Sequence, residues 1–467
     1  MNSQWEHNLT LFRKKMTAHG LAPVVVDTFA YYYRQVATGE TGLISDRDIR
    51  PVQPDEIVSY ADLDRWVPVG RAAADKAVMI RLNGGLGTSM GLSGPKSLLP
   101  VKNGKSFLEI IIGQAHVQGI ALAFMNSFST HDATQRALNR ENPGHVDYKQ
   151  KPRLFVQNKF PKIHQSDLTP AHWPDDPALE WNPPGHGDVY TALSASGMLD
   201  ELIKTGIEYA FIANSDNLGA TMDAGLLGYF VRHQCPFMME VAQKTPSDTK
   251  GGHLAKRQDG RLILRESAQC PEDELETFMD IQKYRYFNTN NIWINLLHLR
   301  TLLEKEGTVH LPVIVNRKRL APLNEESPRV YQIETAMGAA ISLFDDAVAV
   351  HVPRQRFIPV KKCNDLMAVR SDCYRLDPDF SLHENTLRDL PAIRIRLDER
   401  YYQKIDDFDA RFSQGIPSLV NCESLSIEGD VAFEAGVVIR GRVDIKNNNQ
   451  TQMIVRSGTI IDNEQIM

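Results

Sequence analysis

Residues 82–97 read Leu-Asn-Gly-Gly-Leu-Gly-Thr-Ser-Met-Gly-Leu-Ser-Gly-Pro-Lys-Ser, a run whose residue types suit phosphate binding. Five glycines (Gly84, Gly85, Gly87, Gly91 and Gly94) follow closely on the apolar run 77–80. A strand that ends in a loop without side-chain bulk brings backbone N–H groups close to anionic oxygens. Lys96 adds a positive charge at the end of that loop. Two familiar phosphate loops do not fit the register. Pro95 separates Gly94 from Lys96 and breaks G-x-x-x-x-G-K-[ST], while Gly85, Gly87 and Gly91 give G-x-G-x-x-x-G instead of G-x-G-x-x-G. A surface turn without a ligand is the plain alternative; the density of glycine together with a lysine weighs against it.

The loop needs a scaffold, and the flanking sequence supplies one. Apolar runs at 77–82, 120–125, 209–213 and 347–352 read as strands, with helices at 106–117 and 187–202 between them. Such alternation predicts an α/β domain with a largely parallel sheet, whose ligand loops gather at the carboxyl ends of the strands. Residues 1–44 read as helical, and 46–60, with Pro51 and Pro54, as a linker. Near the C-terminus the period changes. Leu425, Val431, Val437 and Val443 recur every six positions, as do Ile427, Phe433, Ile439 and Ile445, with Gly429, Gly436 and Gly441 between pairs. That is the mark of a β-helix, slipping after Asn447-Asn448-Asn449-Gln450 and resuming at Met453 and Val455. An ordinary meander is the alternative. A short solenoid leaves edges uncovered and offers a contact to a second copy.

Composition narrows the function classes. With 467 residues the chain is long enough for two or three domains, and 42% hydrophobic with 24% charged residues is ordinary for a globular protein. No apolar stretch approaches a membrane span, and Trp5, Glu6 and His7 stand where a signal peptide needs an apolar core. The five cysteines are scattered without a C-x-x-C pair, which fits a reducing cytoplasm. A net charge of −6 argues against nucleic-acid binding.

Further segments extend the pattern in order: Met125-Asn126-Ser127-Phe128, Pro184-Gly185-His186-Gly187-Asp188, Ala213-Asn214-Ser215-Asp216-Asn217, Lys250-Gly251-Gly252, Phe287-Asn288-Thr289-Asn290-Asn291, Gln332-Ile333-Glu334-Thr335-Ala336-Met337-Gly338 and Arg356-Phe357-Ile358-Pro359-Val360-Lys361. With the glycine loop, this ordered set resembles the eukaryotic-type UDP-glucose pyrophosphorylases over most of the chain. The resemblance implies a Rossmann-like, GT-A-like nucleotidyltransferase domain with a mixed, mostly parallel sheet at 61–380. It also implies an N-terminal helical segment and linker at 1–60 and a left-handed parallel β-helix at 381–467. The implied reaction joins UTP to glucose 1-phosphate, giving UDP-glucose and pyrophosphate, reversibly and with Mg2+.

Site roles follow from the resemblance residue by residue. Gly84, Gly85, Gly87, Thr88 and Ser89 are expected to hold the triphosphate, with Leu82 and Gly85 beside the nucleobase. Gln157 matches the uracil-reading glutamine, and Gly187 is expected near the base. Lys96 is expected to neutralise the departing pyrophosphate, and Lys361 to touch phosphates of both substrates, although Lys362 follows at once. Asp216 is expected to bind magnesium, His186 the sugar phosphate, and Gly252, Glu266 and Asn290 the sugar hydroxyls. Taken alone, Asn-Ser-Asp-Asn reads as an Asx turn and 288–291 as a turn. Leu92 and Ser93 depart from the animal and plant pattern, where a cysteine and a lysine are common. The basic run Arg317-Lys318-Arg319, near a family Asn-Pro-Lys segment, reads as a solvated face.

Three other readings stand beside this one. A UDP-N-acetylhexosamine or broad UDP-sugar pyrophosphorylase would favour Gly-Gly-x-Gly-Thr-Arg or Gly-Glu-Arg, whereas this chain has Gly87-Thr88-Ser89-Met90. An inert sugar-nucleotide sensor has no need of Lys96, Asp216 and Lys361 together. An NAD-dependent dehydrogenase lacks its fingerprint. Oligomeric state is open, with association through the β-helix as the expected route.

Overall fold

The computed structural model describes residues 2–139, 151–246, 248–249, 251–322 and 324–466; Lys250 of the quoted motifs lies outside them. Ala77–Asn83 sits deep in the central sheet because, Arg81 and Asn83 apart, its side chains are apolar on both faces. Val78, Ile80 and Leu82 pack into one core and Ala77 and Met79 into the other, with every residue of the strand buried. A sheet covered on both sides has this near-continuous apolar sequence. Among the described residues the sheet has eleven strands. Ala77–Asn83 pairs in parallel with Ala121–Asn126 and with Tyr209–Asn214, and Arg153–Val156 follows in parallel beyond Ala121–Asn126. Tyr286–Asn295 is antiparallel to both Tyr209–Asn214 and Phe237–Gln243, between which it lies. Val348–His351 then runs parallel to Phe237–Gln243. The sheet is thus mixed and mostly parallel.

Two expectations change in detail. The helix read at 187–202 is two helices, Val189–Ala195 and Met198–Lys204, because Gly197 takes a left-handed φ of 75° between them. Within 46–60, read as a linker, Ile49–Pro51 pairs with His253–Arg257 and Val58–Ser59 pairs in parallel with Val348–His351 at the sheet edge. The prolines interrupt helix there but leave short extended pieces free to pair. Helices Asn2–Ala18 and Pro23–Thr38 pack Phe12, Phe29 and Tyr33 against Phe160, Trp181 and Ile333.

At the C-terminus the hexapeptide residues Leu425, Val431, Val437, Val443, Ile427, Phe433, Ile439 and Ile445 are all buried. Cys422–Glu428 pairs in parallel with Val438–Lys446, Leu425 on Val443 and Ile427 on Ile445, so three hexapeptides make one coil. Val431 pairs with Met453, a coil lengthened by four residues across the Asn-rich insertion at 447–450. The apolar core of one sheet face continues without a break through Leu366 and Tyr402 into this stack.

Candidate active site

The glycine loop leaves the sheet at Asn83, whose side-chain amide donates to Asn126 Oδ1 at 2.7 Å and Thr134 Oγ1 at 3.0 Å. Ser127, one residue past the neighbouring strand, donates its hydroxyl to Gly84 O at 3.0 Å. Lys96 N–H donates to Gly85 O at 3.0 Å and closes the loop. Gly87 has φ 65°, a left-handed conformation that a side chain disfavours, and an added Cβ would press on Leu92. Among the described residues none accepts a hydrogen bond from the N–H of Gly84, Gly85, Gly87, Thr88 or Ser89. These donors remain available to anionic oxygens.

Gln157 stands one residue beyond the next parallel strand and joins this group. Its Nε2 donates to Gly185 O at 2.7 Å, and its Oε1 lies against Gly84. Because a carbonyl accepts, the amide orientation is fixed: the nitrogen is engaged and the oxygen faces the loop. Leu82 is buried below. Gly187 packs against Thr335, where an added Cβ would come within 2.4 Å of Oγ1, so close packing accounts for this glycine. Asp188 accepts from Asn158 N at 2.7 Å and Nδ2 at 2.9 Å, and burial pushes its carboxyl up to about 7.

The second group lies across the loop. Lys96 Nζ donates to Asp216 Oδ2 at 2.9 Å and to Val360 O, and Lys361 Nζ donates to the same Asp216 oxygen at 2.8 Å. Lys362 points away and pairs with Glu399 at 2.7 Å. Burial alone would raise the Asp216 carboxyl; the charges of Lys361 and Lys96 outweigh it and hold it below the ordinary carboxylate range. Its Oδ1 is buried and has no hydrogen-bond partner among the described residues.

His186, Gly252, Glu266 and Asn290 remain. His186 Nδ1 accepts from Met337 N–H at 2.9 Å, which places the ring proton on Nε2 and leaves that N–H to donate. Burial and then the Lys361 charge lower its pKa to about 4, so the ring is neutral near pH 7. An added Cβ at Gly252 would fall 2.4 Å from Glu266 Oε2 and displace that carboxyl, which burial pushes up to about 7. Asn290 sits at a β-bulge opposite Glu240 and Val241 with φ 58°, its N–H on Asn288 Oδ1 at 2.9 Å. Bulges of this kind re-aim a side chain out of the ladder. The structure therefore brings Lys96, Asp216 and Lys361 into contact, joins Gln157 to Gly84, and pairs Gly252 with Glu266. Asn290 reaches Gly252 through Asn288, whose N–H donates to Gly252 O at 3.0 Å, and His186 is bound to Met337.

A buried polar network behind Asp216 and Lys361 was not read from the sequence. Glu240 accepts from Arg356 Nε and Nη2, both at 2.7 Å, from Trp293 Nε1 at 2.9 Å and from Asn291 Nδ2 at 3.0 Å. Arg81, fully buried, donates to the carbonyls of Asn214, Asn217 and Ala220. The available signal was a lone glutamate in Phe237-Met238-Met239-Glu240-Val241 and a lone arginine in the strand before the glycine loop.

A sequence profile described as UTP–glucose-1-phosphate uridylyltransferase matches residues 26–440. The UTP–glucose-1-phosphate uridylyltransferase of Hordeum vulgare is 39% identical over 404 residues, covering 85% of this chain and 82% of that protein. A crystal structure of a point variant of UDP-glucose pyrophosphorylase from Leishmania major superposes with a TM-score of 0.90 at 40% identity, covering 98% of each chain. Another variant of that enzyme, solved in complex with UDP-glucose, gives 0.89 at 40% identity, covering 98% of this chain and 99% of that one.

Proposed function

The chain belongs to the UTP–glucose-1-phosphate uridylyltransferase family, and we infer from that premise that it makes UDP-glucose and pyrophosphate from UTP and glucose 1-phosphate. A phosphate oxygen of glucose 1-phosphate bonds to the α-phosphorus of UTP. The bond from that phosphorus to the oxygen bridging to the β-phosphate breaks, and pyrophosphate leaves with the electron pair. The nucleophile is already an anion, so no general base is needed. Positioning and stabilisation of charge carry the acceleration. The observation that carries this reading is the meeting of Lys96 and Lys361 on Asp216 beside a loop of unused N–H donors.

In this reading Gly84, Gly85, Gly87, Thr88 and Ser89 hold the triphosphate, and Leu82, Gly85 and Gly187 lie near the base. Gln157 offers Oε1 to the N3–H of uracil, because its Nε2 is engaged by Gly185; cytosine, an acceptor at N3, is refused. Lys96 neutralises the departing pyrophosphate, and Lys361 spans phosphates of both substrates. His186 donates Nε2–H to the sugar phosphate, while Gly252, Glu266 and Asn290 address the sugar hydroxyls.

Magnesium fits the residues present. Asp216 Oδ1 is a buried acceptor without a partner, and no cluster of three acidic, histidine or cysteine groups exists among the described residues. Magnesium is commonly held by one or two carboxylates plus substrate phosphates, so Asp216 with the phosphate oxygens would hold it. When bound it supplies neutralising charge on those oxygens.

The proposed catalytic unit, 61–380, borrows the two short strands of 46–60. The hexapeptide period and parallel stacking support a left-handed parallel β-helix within 381–467, which we assign as the contact surface of a homo-oligomer. No described helix is long and apolar enough to cross a membrane. Five buried free cysteines support a cytoplasmic setting. A coupled pyrophosphate assay tests the reaction. Mg-dependent release is expected with glucose 1-phosphate, and less with galactose 1-phosphate or N-acetylglucosamine 1-phosphate. UTP binding without turnover on any sugar phosphate would overturn the reading in favour of a sensor.

A further inference from the structure

Asn217 follows Asp216 and is almost fully buried, with 2% of its surface exposed. Its side chain makes four hydrogen bonds. Oδ1 accepts from Ile358 N at 2.8 Å and Gly219 N at 3.2 Å, and Nδ2 donates to Arg356 O at 3.1 Å and Asn291 Oδ1 at 3.3 Å. Two of the partners are backbone N–H groups and one is a carbonyl, so the amide has one orientation and its capacity is filled. Neither aspartate nor leucine reproduces that set.

The bonds to Ile358 and Arg356 fasten the segment that ends in Lys361. The side chain of Arg356 is in turn clamped to Glu240 on the sheet, and Asn291 joins both. The Asp216 loop has anchors of its own. Ser215 N–H donates to Leu82 O at 3.1 Å, and Arg81 grips the carbonyls of Asn214 and Asn217. Losing the Asn217 side chain therefore loosens the lysine segment more than the aspartate. What remains on that segment includes the Val360 N–H bond to Asp216 O at 3.0 Å, the Lys96 bond to Val360 O, the Arg356 bond to Thr221 O at 3.0 Å, the Asn217–Pro359 bridge, the Asn291 bond to Arg356 O, the Glu240 clamp and the hold of Asp365 on Lys361 N–H. None of these engages the Ile358 N–H, which donates to Asn217 Oδ1. Lys361 itself is half-exposed and long, so its ammonium is placed by its backbone.

We propose that Asn217 is a positioning residue for uridylyl transfer, acting through Lys361 by fixing the 356–361 segment against the Asp216 loop. This rests on the role assigned to Lys361 above. The test is a double-mutant cycle with Asn217→Ala, Lys361→Met and both together, reading kcat and KM for UTP. Asn217→Ala is expected to lower kcat about tenfold with KM for UTP changed less than about twofold. In the Lys361→Met background the same change should cost less than about twofold. Equal fold losses in both backgrounds, or unchanged kcat in Asn217→Ala, would overturn the proposal. Asn217→Ser enters the same cycle if the alanine variant does not fold. Hydrogen exchange gives a readout free of turnover. In either folded variant the Ile358 amide should exchange at least about tenfold faster while Tyr209–Asn214 keeps its protection. Unchanged exchange at Ile358 sinks the inference whatever the activity. A wild-type chain without uridylyl transfer, with the exchange result as expected, would sink only the assigned reaction.

Discussion

Around the glycine loop, the groups we assign to the nucleotide are main-chain N–H donors and an amide at the carboxyl ends of three adjacent parallel strands. Lys96 and Lys361, by contrast, reach Asp216 with side chains from positions 120 and 145 residues away in sequence. The first region takes its geometry from the sheet register, because Asn83, Asn126 and Val156 stand side by side. The second takes it from a buried network in which Glu240, Arg356, Asn291 and Asn217 satisfy one another. Backbone donors on strand ends stay in place as long as the sheet does. A side-chain network is only as firm as each of its members. The nucleotide side is therefore expected to govern binding, and the cation side to govern turnover and much of the stability behind it.

The severest test strikes the network itself. Arg356→Met strands the Glu240 carboxylate, whose side chain is 0% exposed, without its cation. A loss of about 3–5 kcal/mol in urea unfolding is expected, and a loss under about 1 kcal/mol would show that the two regions do not differ in this way. Next comes Lys96→Met, expected to lower kcat by about 10²–10³ with the fold intact by circular dichroism. On the nucleotide side, Gln157→Ala removes one hydrogen bond, worth about 1 kcal/mol, so KM for UTP should rise roughly fivefold with kcat little changed. A fall in kcat as large as that of Lys96→Met would erase the distinction.

The gentlest probe is pH. Glu266 is pushed up to about 7 from an ordinary 4.5 by burial. Between those values the folded chain keeps a proton that the unfolded chain has released, so stability falls as pH rises through that window. Glu266→Gln removes this slope. Its thermal midpoint should gain on the wild type between pH 4.5 and pH 7.5, and parallel midpoints at both pH values would refute it.

What was legible in the sequence follows the same divide. Strand 77–82, the glycine loop and Lys96 are contiguous, so periodicity and residue type were enough to suggest phosphate binding there. The hexapeptide residues also announced themselves, since each coil repeats a local rule. Asp216 and Lys361 gave no spacing signal of their own. Their sequence separation is set by intervening strands and helices; beyond the place of Asp216 just past the apolar run 209–213, only the ordered motifs of a family pointed to them. Asn217 and Arg356 lay inside quoted motifs yet carried no role, because a saturated amide and a buried clamp are defined by partners on other strands. Glu240 was visible only as an acid in an apolar run. The helix at 187–202 was read as continuous because Gly197 is a single residue, whose left-handed turn is decided by what the two halves pack against.

The short edge pairing of Val58–Ser59 with Val348–His351 bears on how the chain comes to be folded. The early segment leaves the ribosome with its partner strand still most of the chain away. Until the later strand is made, the edge position of Val58–Ser59 stays unfilled. Closing so long a loop has an entropy cost that no local contact offsets beforehand, which favours slow, late formation of the sheet edge. The glycine-loop strand has neighbours much sooner, at 121–126 and 209–214. The nucleotide side can therefore take shape while the nascent chain is still growing, and the cation side is completed only after Lys361 has emerged.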